Sequence, residues 1–387
     1  MTSLASASLA LWSTAVSATS LVAVARTLAR PRVATVIASK RPRCLVVRPC
    51  AGSEPSLRRA LLSSSHLAED REFKLIFAVA RDDDPALPIV REACEALTAK
   101  GFDASVRVTH ARGVNQKSSQ LAEAFASDAS HELAVVIDSD VDCEGLTLDA
   151  LAAPFVGDER VAAVWVPAVE TAGVTAADRA SEAVLAGSLH AFSVLSTIDG
   201  DGLVGKVVAL RASSLSAVGG FAALERHLGE DMELARRFRS QGMRCVALPL
   251  TVTSLASARS WSAVVDRYAR WITVIRAQRP SLLTSYPALF FATWPIALTS
   301  IAVAATSASP GARAVAAGAA CAAVVSRLAV SFAARHAARH ELWRAPLDAV
   351  MADAVLAMAF VRSLRTRTVT WRGRALRVDD GGLLSEA

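Results

Sequence analysis

The chain has 387 residues, 53% hydrophobic and 20% charged, with a formal net charge of +6. With a positive mean hydropathy it is too apolar for an ordinary soluble enzyme of this length, so membrane segments are sought first. No basic platform with interleaved aromatic residues stands out for stacking bases, and nucleic acid is excluded from the expected partners.

Residues 1–25 carry no charge, the first acid is Glu54, and Arg26, Arg30, Arg32, Lys40, Arg41, Arg43 and Arg48 follow the apolar stretch. A secretory signal would place its positive charge ahead of the apolar run. Charge after the run reads residues 4–25 as a signal anchor within an N-terminal membrane segment 1–28, with the N-terminus outside and the chain from Arg26 onward in the cytosol. An uncleaved Ala/Ser-rich leader is the alternative.

Residues 40–258 read as a soluble domain. The runs "CLVV" (44–47), "KLIFAVA" (74–80), "DASVRV" (103–108), "LAVVID" (133–138), "VAAVWVP" (161–167) and "VVAL" (207–210) alternate with longer helix-like segments. That alternation predicts an α/β domain with a largely parallel sheet. Ligands collect at the carboxyl ends of such strands. "CLVV" is followed by Arg48-Pro49-Cys50-Ala51-Gly52-Ser53-Glu54, read as a turn whose glycine lets backbone approach a ligand. "KLIFAVA" is followed by Arg81-Asp82-Asp83-Asp84-Pro85, which alone is as well explained by a turn or helix cap. "LAVVI" is followed by Asp138-Ser139-Asp140, whose alternate carboxylates can face Mg²⁺ or Mn²⁺, hard ions that share oxygen ligands with nucleotide phosphates. Gly229-Glu230-Asp231 opens a segment with helical spacing (Leu234, Phe238) that stops at Gly242. Asp231 therefore falls at a helix N-terminus, where the dipole favours the ionised carboxylate; a plain cap is the other reading.

Residues 259–283 form an amphipathic interface segment in which "RYARW" places Arg267, Arg270 and Trp271 on one turn. From Pro280 to Ala312 there is no charge, a stretch longer than the ~20 residues a spanning helix needs. Residues 284–335 are accordingly read as a transmembrane pair, 284–307 and 312–334, the second interrupted by Arg327. The segment 345–363 is apolar but holds Asp348 and Asp353, and both its flanks are basic. If it spanned, one basic flank would lie on the wrong side, so a re-entrant or interfacial helix with both ends cytosolic is expected. The tail 364–387 is basic: from 361 to 378 there are six arginines and no acid, a pattern suited to an anionic bilayer surface. The six cysteines show no metal spacing, and they are expected to be reduced and mostly buried.

In chain order, Asp84, Asp138 with Asp140, Asp231 and Arg267-x-x-Arg270-Trp271 reproduce the D, D(x)D, D, (Q/R)xxRW series of inverting processive-type and lipid glycosyltransferases. With "RPCAGSEPSL", "DDDPA", "GVNQKSSQL", "IDSD", "GSLH", "GED" and the closing "TWRGRALR" around Trp371, the whole chain resembles the ceramide glucosyltransferase family. Bacterial hopanoid-modifying glycosyltransferases share much of this pattern. The resemblance implies a GT-A-type nucleotide-sugar-binding domain with a mostly parallel mixed sheet, an N-terminal anchor, and C-terminal transmembrane and interfacial helices.

It also implies roles. Glu54 and Asp84 resemble uridine-side contacts and Lys117 a donor contact. Asp138 and Asp140 resemble the ligands of a divalent metal and the donor diphosphate, and Asp231 the general base. Arg267, Arg270 and Trp271 resemble the pyrophosphate and acceptor-entry motif, and His190 a histidine near the lipid or donor pocket, although such a residue is also ordinary in a packed core. Two positions depart from the pattern: Asp140 stands where the animal enzymes have glycine, and Gln120 where asparagine is usual. The implied activity is transfer of glucose from UDP-glucose to ceramide, giving a β-glucosylceramide. Transfer of N-acetylglucosamine or another hexose to a hopanoid is the rival, and a catalytically silent membrane scaffold the alternative of another class. The expected location is a membrane, with the catalytic domain cytosolic, and a bacterial inner membrane rather than the Golgi.

Overall fold

The computed structural model describes residues 2–30, 41–67, 73–171, 173–200, 202–371 and 374–386. Arg32 and Lys40 of the first basic run and Arg372 of the tail lie outside the described residues. The chain forms two compact units, an α/β unit (Pro31–Thr175, Asp199–Arg259, Arg367–Ala387) and a helical unit (Met1–Arg30, Ala176–Ile198, Ser260–Thr366).

The α/β unit contains β1 (Cys44–Cys50), β2 (Lys74–Val79), β3 (Asp103–Val108), β4 (Leu133–Ile137), β5 (Val141–Asp142), β6 (Val161–Trp165), β7 (Ala168–Glu170), β8 (Val207–Arg211), β9 (Arg244–Ala247), β10 (Val252–Ser254), β11 (Thr368–Trp371), β12 (Arg374–Val378) and β13 (Leu384–Glu386). Its main sheet has the order β3-β2-β1-β4-β8-β6-β9. All neighbours are parallel except those of β8, which runs against both β4 and β6. This is a mostly parallel mixed sheet, as expected, and all six runs read as strands lie in it. β1, β4 and β6 are buried along their whole length, which is why they read as continuous apolar runs. The strand order reverses between β1 and β4, so their carboxyl ends flank the crevice where such sheets bind ligands. Because β8 is reversed, its first residues arrive at that same end.

One boundary differs from expectation. β1 does not stop at Val47 but continues through Arg48, Pro49 and Cys50 in register with β2. Beyond Val47 it has lost β4 as a neighbour, which leaves room for a proline lacking a donor. Arg48 is fully buried. A guanidinium inside a strand is costly unless it is hydrogen-bonded, and this one is. Nη1 donates to Ala60 O (2.6 Å) and Ser64 Oγ (2.8 Å), and Nη2 to Asp138 O (3.0 Å) and Val141 O (2.6 Å).

β5, β10 and β7 form a second, small sheet that fastens the chain just after Asp140. Val141 lies opposite Ser254 in it. A third sheet, β11-β12-β13, is antiparallel and folds most of the segment read as a basic tail into the α/β unit. Its apolar residues Leu376, Val378 and Leu384 are buried, while Arg367, Arg374 and Arg377 pair with Asp380, Glu386 and Asp379. The sheet is joined to the main body at 226–228, where the Leu228 N–H donates to Gly382 O (2.8 Å) and the Leu384 N–H to Arg226 O (2.7 Å). The arginine run masked the period-two apolar pattern of these short strands.

In the helical unit, Leu4–Leu28 and Pro310–Ala338 are long and apolar enough to cross a membrane. They pack through small residues that allow close backbone approach: Ser13 Oγ donates to Ala319 O (2.7 Å), and Ser17 Oγ lies 3.2 Å from Ser326 Oγ. The stretch expected as one helix over 284–307 is broken. Pro280–Phe290 and Thr293–Thr306 meet at a bend of 52°, where Pro287 stands at the start of a wide π turn, Tyr286–Phe290.

The charges inside the apolar segments pair with one another. Arg327 of helix Pro310–Ala338 donates to Asp353 (2.9 Å), Ser331 Oγ (2.7 Å) and Gly187 O (2.8 Å). Arg335 contacts Asp348 (2.5 Å) and Glu182 (3.2 Å). All five charged groups are buried, so helix Ala345–Arg365 and helix Ala176–Gly187 are locked to the long apolar helix. A Cβ on Gly187 would come within 2.4 Å of Asp348 Oδ2, which is the physical reason for a glycine in "GSLH". Breaking such a buried pair strands a charge at a cost of about 3–5 kcal/mol, whereas replacing both partners by apolar groups is often neutral. Arg327→Met should therefore lower the unfolding temperature of the detergent-solubilised protein strongly, and Arg327→Met with Asp353→Leu should recover most of the loss.

Candidate active site

The loop after β4 is held from both ends before any ligand arrives. Asp138 N–H donates to Lys206 O (2.9 Å), the carbonyl of Asp138 accepts from Arg48, and the carbonyl of Asp140 accepts from Leu255 N–H (2.7 Å). The two carboxylates meet two ammonium groups. Asp138 Oδ1 lies 2.8 Å from Lys117 Nζ, and its Oδ2 lies 3.5 Å from Lys206 Nζ. Asp140 is buried; both its oxygens accept from Lys206 (2.7 and 2.6 Å), and Oδ2 also accepts from Ser254 Oγ (2.6 Å).

Lys117 comes from helix Gln116–Ala126, whose N-cap Asn115 accepts from Ser118 N–H. The buried Asn115 amide also donates to His227 O (2.7 Å), tying this helix to the loop that carries the acidic pair Glu230-Asp231. Lys117 Nζ reaches Glu230 Oε1 (3.2 Å) and donates to Gly205 O (3.2 Å). Burial works against its charge, but Asp138, Glu230 and Asp231 outweigh burial and raise its pKa, so it is an ammonium at every physiological pH. Gln120, one turn further on, donates to Cys50 O (3.2 Å) and Ala78 O (3.3 Å). Its longer amide thus bridges the ends of β1 and β2, which accounts for the departure from asparagine.

Asp231 lies at the N-terminus of helix Glu230–Ser240, after Gly229 in a left-handed conformation (φ 74°). Oδ2 accepts from Gly205 N–H (3.0 Å) and Oδ1 from Met232 N–H (2.8 Å). Burial pushes this carboxyl up to about 6, the Glu230 charge adds to the rise, and Lys117 and the two N–H donors restrain it. Gly205 therefore touches both sides of the site: its N–H holds Asp231 and its carbonyl holds the lysine bound to Asp138. Asp84 belongs to the adjoining strand ends. Its buried Oδ1 accepts from Gly52 N–H (2.8 Å) and Ala86 N–H (2.9 Å), joining the loops after β1 and β2. Glu54, two residues beyond Gly52, is exposed.

The remaining expected site residues lie in the helical unit. Arg267, Arg270 and Trp271 are half-buried on helix Trp261–Gln278, which Ser260 caps through Ala263 N–H. The Arg267 guanidinium lies over the Trp271 ring, 4.9 Å from its centroid, a cation–π arrangement. His190 is buried against Trp271 (6.1 Å, stacked) and Phe290 (5.4 Å), with Nε2 3.0 Å from Tyr286 OH. Burial lowers its pKa to about 4, so the ring is neutral at pH 7.

No site role was legible in the sequence for Lys206, Arg48, Glu230, Gly205 or Ser254. Only Glu230 carried a signal, as the neighbour of Asp231. The others reach the site through strand pairings that no local spacing encodes. The cysteines follow expectation: all six are free thiols, five of them buried and Cys321 exposed.

A divalent ion can be tested against these residues. Asp138 and Asp140 offer oxygen ligands only, the donor type Mg²⁺ and Mn²⁺ prefer, and a cation, Lys206, already stands between them. Among the described residues no group of three or more His, Cys, Asp or Glu is gathered for a metal. An ion here would complete its shell with phosphate oxygens and water, as Mg²⁺ commonly does. The pair fits.

The raised pKa of Asp231 has a consequence for stability. Its folded value, about 6, exceeds the ~3.9 of an unfolded aspartate. The folded state then binds this proton more tightly, and stability is lost as pH rises between those values. Asp231→Asn should raise the unfolding temperature above pH 6, and the gain should vanish near pH 4, as a thermal-shift series across pH would show.

The model of glycosyl transferase family 21 matches residues 5–384. No curated protein sequence matches the chain. Among solved structures, the chain is similar to a mannosyltransferase from Pyrobaculum calidifontis in complex with GDP-mannose and Mn²⁺, with TM-score 0.54 and 19% identity, over 92% of this chain and 99% of that one. A looser likeness is to glucosyl-3-phosphoglycerate synthase from Mycobacterium tuberculosis in complex with Mn²⁺, UDP and glucosyl-3-phosphoglycerate, with TM-score 0.39 and 18% identity, over 64% of this chain and 83% of that one. The match along nearly the whole chain and the mixed sheet agree: this protein is a glycosyltransferase of the GT-A fold and belongs to glycosyl transferase family 21.

Proposed function

We propose that the protein is a membrane-bound inverting transferase that moves glucose from UDP-glucose to ceramide. The observation that carries the reading is the coupling of Asp138 and Asp231 through Lys117 and Gly205, which sets an acidic, cation-balanced loop beside a carboxylate poised to accept a proton. In this reading the acceptor hydroxyl attacks the anomeric carbon as the bond to the diphosphate breaks. Asp231 takes the hydroxyl proton, UDP departs, and a single displacement turns an α-linked donor into a β-glycoside. With a pKa of about 6, Asp231 is ionised at pH 7 yet more basic than an ordinary aspartate. Asp138 and Asp140 would hold a divalent ion, which would supply charge compensation for the leaving diphosphate. Lys117 adds a fixed positive charge on that side. Glu54 and Asp84 serve the uridine side. Arg267 and Arg270 grip the diphosphate, with Trp271 and His190 on the acceptor side; a planar guanidinium suits phosphate better than a point charge.

A lipid acceptor is supported by the two helices able to cross a membrane. We assign helix Ala345–Arg365 an interfacial course, supported by its exposed Leu347, Val350, Met358, Val361 and Leu364, which are suited to acyl chains. The proposed location is a bacterial inner membrane with the catalytic domain cytosolic.

Membranes containing the protein, incubated with labelled UDP-glucose or UDP-N-acetylglucosamine against ceramide or hopanoid, should form glucosylceramide, and chelator should abolish the product. Labelled hopanoid with N-acetylglucosamine instead would replace the donor and acceptor assigned here, and full yield in chelator would remove the metal. Asp231→Asn should reduce the transfer rate by roughly 10²–10⁴-fold, the range for losing a general base. In the unmodified enzyme the rate should fall as pH drops through about 6, because the protonated base cannot accept a second proton.

A further inference from the structure

We propose that Lys206 is the resident counter-cation of the Asp138–Asp140 pair in the donor-free enzyme, and that a divalent ion enters only by displacing it. The inference rests on the reading of these aspartates as metal ligands. Its ground is geometric. Lys206 immediately precedes β8, the reversed strand, and its backbone carbonyl is bonded to Asp138 N–H, so its side chain starts beside the acidic loop. Nζ contacts both oxygens of Asp140 at 2.6–2.7 Å and Asp138 Oδ2 at 3.5 Å. The side chains of Lys206 and Asp140 are only 16% and 9% exposed. Lys117 takes Asp138 Oδ1, and Ser254 also donates to Asp140. Every oxygen of the pair is thus engaged by the protein.

A dication needs those same oxygens, and Lys206, which contacts both carboxylates, competes for them because like charges at that distance in a partly dry site repel strongly, whereas Lys117, which touches only Asp138 Oδ1 of the pair, can stay in place. The acidic loop is therefore closed to metal until another source of negative charge arrives. A nucleoside diphosphate brings that charge: its oxygens complete the metal shell and offer the displaced ammonium a new partner. Metal and donor then bind as a linked pair, and the donor-free enzyme does not hold the ion.

The test measures Mn²⁺ affinity of the purified full-length protein in detergent, by the electron paramagnetic resonance of free Mn²⁺, without donor and with UDP. Lys206→Met should bind Mn²⁺ at least about tenfold more tightly than the unmodified protein in the absence of UDP, since it removes a like charge from the site. Lys206→Arg, which keeps the charge, should stay as weak as the unmodified protein. Lys74→Met, which removes an exposed lysine paired with Asp128, should also match it, and UDP should tighten Mn²⁺ binding most where Lys206 is present. Equal affinity for Lys206→Met and the unmodified protein overturns the role of Lys206 while leaving the metal assignment intact. No Mn²⁺ bound by any form even with UDP overturns both. Should Lys206→Met fail to fold, the unmodified protein and Lys206→Arg decide: tight Mn²⁺ binding by either without UDP overturns the proposal.

Discussion

The structure is governed by one constraint: charge that leaves water must find its counter-charge within the protein. At the ligand end of the sheet, Asp138, Asp140, Glu230 and Asp231 crowd together, and they are tolerable because Lys117 and Lys206 stand among them. Arg48 lies beneath, but its charge is spent on oxygens of the main chain and of Ser64 rather than on a carboxylate. That choice gives it a structural role, as a tie between the carbonyls of Asp138 and Val141 at the two ends of the acidic turn. The same constraint operates in the helical unit, where Arg327 and Arg335 meet Asp353, Asp348 and Glu182. Each of these charges looks like a defect in an apolar segment until its partner is identified.

Balance is not equal throughout. Lys117 has partners enough to remain charged under any physiological condition, whereas Asp231 is under-compensated, and burial with the Glu230 charge raises its pKa to about 6. A carboxylate held in that state is a poorer contributor to stability and a better proton acceptor.

The third sheet changes the meaning of the C-terminus. By its bonds to residues 226–228 it braces the loop that ends in Gly229-Glu230-Asp231 from one side, while Asn115 braces it from the other. The loop bearing Glu230 and Asp231 is therefore fastened to the far end of the chain, and Arg374 to Val378 reads as part of a folded α/β unit as well as a stretch of positive charge.

Local pattern alone determined a good deal. Most of the six strands are legible because buried strands need uninterrupted apolar residues, β3 by its β-branched residues in a partly exposed edge position, and the acidic clusters are legible because they follow such strands. The apolar helices declare themselves by length and by missing charge. Tertiary structure decided the rest, because it depends on pairings between residues far apart in the chain. The reversal of β8 brings Lys206 to Asp140, the extension of β1 buries Arg48, and the ion pairs across helices cancel Arg327 and Arg335. A sequence shows which charges exist, but a buried charge is stable only beside a partner, and it is the fold that chooses the partner.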